Sequence, residues 1–90
     1  MEMKKYKRVK EVSWQELGGK GILISMQNAM AHELNTTALD IWKFLDEEKS
    51  LEEIENHFCE EYQIDFDTVR PDIIACLEQM QAQSLIQVHE

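Results

Sequence analysis

The apolar period of this chain changes at one point, within "HELNTTALDIWKFL" at residues 32–45. Before Asn35 the period is two, with Met30, His32 and Leu34 on one strand face; after it Ala38, Ile41, Trp42 and Leu45 fall at i, i+3, i+4 and i+7, the spacing of one helix face. A strand must end and a helix begin within about three residues. Asn35, Thr36 or Thr37 can each cap that helix with a side-chain oxygen. A junction this tight places the sheet first and the helices after it.

Upstream, residues 12–17 and 21–26 are short runs rich in β-formers around "GGK", which reads as a β-hairpin. "QNA" (27–29) makes a second turn, and 30–34 a third strand with Met30, His32 and Leu34 on one face and Ala31 and Glu33 on the other. Three strands are barely stable alone, so helices must cover one face. The first helix is expected over 37–45, ended by "DEEK". Ser50 with Glu53 is a capping box, opening a second helix whose apolar side is Leu51, Ile54, Phe58 and Tyr62. "QIDFD" is a connector. Asp65 or Asp67 caps a third helix with the core stripe Val69, Ile73, Cys76, Leu77 and Met80, and Pro71 is acceptable there only near the first turn. "LIQV" alternates and predicts a short fourth strand. The layout is α+β, a small winged helix-turn-helix-like domain: a three-stranded antiparallel sheet followed by three helices.

Ninety residues make one small domain without a deep enclosed site. Lys and Arg number 9 against 18 Asp and Glu, for a net charge of −9. Five of the cations (Lys4, Lys5, Lys7, Arg8, Lys10) lie in residues 1–10, which read as a flexible basic tail before a domain at 11–90. That domain holds four basic and seventeen acidic side chains, a balance that repels a phosphate backbone. No run is long enough to span a membrane, and no apolar region follows the basic start as a secretory signal requires, so the cytoplasm is expected. Cys59 and Cys76 read as reduced, packed thiols, and neither they nor His32, His57 and His89 fall at metal-ligand spacing. No metal or cofactor is expected.

In order and spacing, several of these features resemble the PqqD family, also called RiPP recognition elements. They are Leu34-Asn35 before the first helix and Ile41-Trp42 with Leu45 inside it. Ser50 with Glu53-Ile54 opens the second, and Tyr62 with Ile64-Asp65 follows it. Ile73, Leu77 and Met80 lie in the third helix, with Leu85-Ile86 beyond. The likeness runs over about residues 11–88. Three positions depart from the pattern: Ser84 where many members have Gly, Cys76 where an aromatic is common, and Pro71. Without Gly at 84 the third helix is expected to end less sharply.

The resemblance implies a binding module without catalysis. Such modules capture the leader of a ribosomally synthesised, post-translationally modified peptide and present it to maturation enzymes. The leader docks as an added strand beside the third strand, its side chains entering a groove against the third helix. Carried onto this chain, the expected site is Ala29, Met30, Ala31, His32 and Glu33 on the strand with Arg70, Ile74, Leu77 and Gln81 on the helix. Three of them have a plainer reading. His32 beside Leu34 suits a packed, hydrogen-bonded histidine; Arg70 suits a surface ion pair; Ile74 serves equally as groove wall or as core under the last strand. With no second domain the chain resembles stand-alone members. The favoured pathway is lasso-peptide maturation with a separate leader peptidase; the alternative is a peptide chaperone of pyrroloquinoline quinone (PQQ) biosynthesis. The remaining partner is a second copy paired through the free strand edge, so monomer and strand-paired dimer both stay open.

A winged-helix DNA-binding regulator is the first rival. It meets the charge of the third helix, where Arg70 stands against Asp67, Asp72 and Glu78. An enzyme is the second, and neither a phosphate loop nor a nucleophile–base set is present in the sequence.

Overall fold

The computed structural model describes residues 4–89. It is an α+β domain in the winged helix-turn-helix style. Strands β1 (Lys5–Arg8), β2 (Val12–Leu17), β3 (Lys20–Ser25) and β4 (Ala31–Leu34) come first. Then follow α1 (Thr36–Phe44), β5 (Lys49–Ser50), α2 (Leu51–Tyr62), α3 (Phe66–Ala82) and β6 (Ile86–His89). The expected meander is an antiparallel sheet in the order β2-β3-β4, with Leu23 opposite both Trp14 and His32. Gly18 and Gly19 join β2 to β3 at φ 58° and 80°, the left-handed values that a two-residue hairpin of this hand demands. Asn35 caps α1, accepting from the Ala38 N–H at 2.8 Å, and Thr36 Oγ1 donates to the Gly19 carbonyl at 3.0 Å. The junction is thereby fastened to the hairpin turn.

The basic segment expected as a flexible tail is a correction. Its residues 5–8 form β1, centre of a second sheet in the order β5-β1-β6; residues 1–3 of that segment lie outside the described residues. The reason is alternation hidden beneath the charges. Tyr6 packs on the core, while the Arg8 guanidinium lies 5.6 Å from the Trp14 ring and 5.3 Å from the Trp42 ring, a cation between two aromatic faces. Lys5 and Lys7 share the opposite face with their partners His89 and Gln87. The predicted strand at the chain's end is β6, and β1 is the strand it joins.

The core gathers Leu23 and Leu34 from the sheet, Ile41, Trp42 and Leu45 around α1, Ile54 and Phe58 from α2, and Val69, Ile73, Leu77 and Met80 from α3. Cys76 only flanks it, and the exposed Tyr62 stacks on Phe58 at 5.4 Å between ring centres. Its hydroxyl donates to Asp40 Oδ2 at 2.5 Å, and His57 Nε2 lies 3.4 Å from the other Asp40 oxygen, so α1 and α2 are clasped. The bond to Asp40 pushes the Tyr62 phenol up to about 12. With the folded value raised, the bond's contribution is whole below about pH 10 and vanishes as pH rises through about 12. In a phenolate absorbance titration, Asp40→Asn is expected to bring that ionisation back towards the ordinary value of about 10.

The capping box at Ser50 is complete in both directions. The Ser50 backbone N–H, donating to the Glu53 carboxylate, holds that group below its ordinary range. Asp65 takes the N-cap position of α3 without a side-chain cap bond. Pro71 is the sixth residue of α3, deeper than the first turn expected for it, and leaves the Asp67 carbonyl without its helical donor. The other end of α3 also departs from expectation. Ser84 adopts φ 60°, its N–H donates to the Gln81 carbonyl at 3.0 Å, and the Leu85 N–H donates to Met80 at 2.9 Å. This is a full Schellman stop, sharp despite the missing glycine. Ser84→Gly is therefore expected to raise stability by up to about 1 kcal/mol, read as a higher denaturant midpoint at constant slope.

Candidate functional site

Among the described residues β4 is an edge strand, bonded to β3 alone. The Ser25 N–H donates to the Met30 carbonyl at 2.9 Å, and residues 25 and 30 continue the β3–β4 register. Antiparallel bonding alternates with period two, so the backbone groups of His32 and Leu34 point into the sheet. Those of Ala31 and Glu33 point outward, where a further strand can pair. Ala29 and Met30 precede the strand: Ala29 sits in the turn at φ 57° with its N–H on Ser25, and Met30 is exposed. The Ala31 and Glu33 side chains are exposed, Glu33 lying 3.9 Å from Lys20 Nζ. His32 is half-buried, and its Nε2 is buried without a hydrogen-bond partner, unlike the satisfied histidine expected there.

The predicted α3 residues come together. Arg70, Ile74, Leu77 and Gln81 line one bank of a groove whose other banks are the first turns of α2 and the β1 residues Lys5 and Tyr6. Leu77 is the floor at 2 % exposure, Ile74 is half-buried, and Phe66 stands 48 % exposed at one end. No β4 residue lines this groove, so the two halves of the expected site are not joined in one cavity. Arg70 is an ion-pair partner, as its plainer reading held, but to Glu55 across on α2, Nε to Oε2 at 2.6 Å.

Glu55 was missed. It is 4 % exposed on α2 and faces this groove. The sequence signal lies in its spacing, four residues after Leu51 and three before Phe58, inside the apolar stripe. A second, polar cleft is lined by Lys7, Lys10, Glu47 and Gln87 with the bonded pair Glu48–His89. The His89 bond holds the Glu48 carboxyl below its usual range. Burial pushes the Cys59 and Cys76 thiols up, which disfavours a thiolate nucleophile. Among the described residues no group of three or more His, Cys, Asp or Glu could hold a metal ion, and no helix is long and apolar enough to cross a membrane. What the arrangement provides is an unpaired strand edge and an apolar groove rimmed by carboxylates, both suited to an extended peptide.

Comparison with known proteins gives one solved structure and one family model. The solved chain "TbiB1 in Complex with the TbiA(beta) Leader Peptide" matches with a TM-score of 0.79 and 27% identity, over 90% of this chain and 94% of that one. No curated protein sequence matches. The family model of coenzyme PQQ synthesis protein D, PqqD, matches residues 20–86, from the second strand of the hairpin to the start of β6. The chain belongs to the PqqD family.

Proposed function

We propose that this protein is a leader-peptide-binding module of RiPP biosynthesis, capturing a precursor and presenting it to maturation enzymes without making or breaking bonds itself. The observation that carries the reading is the near full-length likeness to a chain solved with a leader peptide bound. The outward backbone groups of Ala31 and Glu33 supply the means: a leader strand pairs with β4, and backbone bonds give attachment whatever its side chains. Docking is expected to perturb Ala29–Glu33 by pairing and Arg70, Ile74, Leu77 and Gln81 by side-chain contact. In the favoured pathway the module works in the cytoplasm and delivers a lasso-type precursor to a separate leader peptidase. The family's description as a PQQ synthesis protein favours the second pathway, delivery of the peptide precursor of that coenzyme.

The test is backbone amide NMR of the labelled chain, titrated with the leader half of the small open reading frame beside its gene. Shifts concentrated in residues 29–33 and 70–81 are the expected result. An unchanged spectrum at about millimolar peptide, where even a binding energy near 4 kcal/mol registers, would remove the proposal.

A further inference from the structure

Glu55 is the most unusual group in the groove. A carboxylate at 4 % exposure is stable only when paired and well hydrogen-bonded. Its cation meets the first need and fails the second. Arg70 Nε comes within 2.6 Å of Oε2, yet no N–H is directed along that contact, and this buried oxygen accepts no hydrogen bond. The Arg70 side chain is itself 58% exposed, whereas its partner carboxylate is buried. The groove around the pair carries Glu52, Glu53, Asp67 and Glu78 against Lys4 and Lys5 at one end. Its apolar surface, from Phe66 across Ile74 to Leu77, runs along the α3 bank that also bears Arg70.

We propose that this groove selects a peptide segment bearing a lysine or arginine next to a large apolar residue, and that Glu55 reads the cation. The inference rests on the peptide-binding reading and adds the chemistry of the peptide. A peptide ammonium or guanidinium brings mobile donors that can align on Oε2 where the Arg70 Nε–H does not. Arg70 swings out only as the incoming cation takes its place, so the buried carboxylate is never left uncompensated. The neighbouring apolar side chain then covers Phe66 and Ile74, and closing water away strengthens the new pair. The carboxylate rim repels acidic segments and favours cationic ones, which adds discrimination.

The probe is a phage-displayed library of random dodecapeptides, selected against the full chain and the best binder then measured on Glu55→Gln. Binders should carry Lys or Arg beside a large apolar residue well above library frequency. The best of them should lose about tenfold or more in affinity on Glu55→Gln. Its analogue with alanine for the basic residue should bind the two proteins alike. Equal affinity of the basic peptide for both proteins overturns the role of Glu55. Should Glu55→Gln fail to melt cooperatively, Arg70→Ala takes its place: removal of the competing cation should tighten the basic peptide, and unchanged or weaker binding overturns the inference. Binders without basic preference that still shift the β4 amides overturn this inference and leave leader capture standing. A library that yields no binder overturns this inference, and the leader titration decides leader capture separately.

Discussion

Trp42→Ala is expected to remove about 3–5 kcal/mol, a large share of the stability of a domain this small. Trp42 is 1 % exposed at the centre of the core. Its ring meets Trp14 edge-on at 6.4 Å and the Arg8 guanidinium at 5.3 Å. Truncating so large a buried ring costs about 3–5 kcal/mol through lost transfer energy and the cavity left behind. A chain of this length holds only about 5–13 kcal/mol in all. The loss also frees one of the two faces that grip Arg8, so β1 loses its inner anchor. Trp42→Phe is the instructive control. The Trp42 Nε1 is buried without a hydrogen-bond partner, so phenylalanine removes an unsatisfied donor with a smaller loss of volume and should cost well under half as much. Urea titration followed by circular dichroism measures both; an alanine variant within about 1 kcal/mol of the parent would mean that Trp42 is not the core's centre.

The second large effect separates binding from folding within one four-residue strand. Ala31→Pro removes an N–H that points away from β3, and puts the ring where an added strand must lie, about 4.8 Å from β4. Edge positions with solvent-facing N–H groups tolerate proline, so stability should change by about 1 kcal/mol or less. Leader affinity should fall about thirtyfold or more, from a lost backbone bond together with the steric block. His32→Pro, one residue on, removes an N–H that belongs to the β3–β4 ladder and should unfold the sheet edge instead. Calorimetric titration with the leader gives the first number and thermal melts the second. Full affinity in Ala31→Pro would place the docking edge elsewhere than β4.

The parts of this fold that the sequence made legible are those set by near neighbours. The α1 stripe, the Gly18-Gly19 turn, the Ser50–Glu53 box and the alternation before Asn35 each involve residues within about four positions. What it concealed depends on distant partners. Lys5 to Arg8 reads as a solvated charge run until Trp14, Trp42 and β6 are placed around it. Ser84 lacks the residue that normally marks a left-handed stop, yet the buried Met80 and Leu85 on either side hold it there. The site divided the same way. A helix period brings Arg70, Ile74, Leu77 and Gln81 to one bank, while the opposite bank needs β1, and Glu55 was hidden among α2 glutamates that otherwise face solvent.

The pairing of Lys5 with His89 bears on the order in which the chain acquires its structure. The β2–β3 hairpin closes over two glycines and loses little entropy, whereas the β1–β6 ladder joins residues about 80 positions apart. During synthesis the first strand can pair with β5 once residues 49–50 appear, but its β6 side stays open until residues 86–89 follow. Its lysines suit that interval, because a charged, open edge resists pairing with other nascent chains. The β1–β6 ladder is therefore the last pairing of this sheet to form, after β5 and the Trp42 ring have already given β1 its inner contacts.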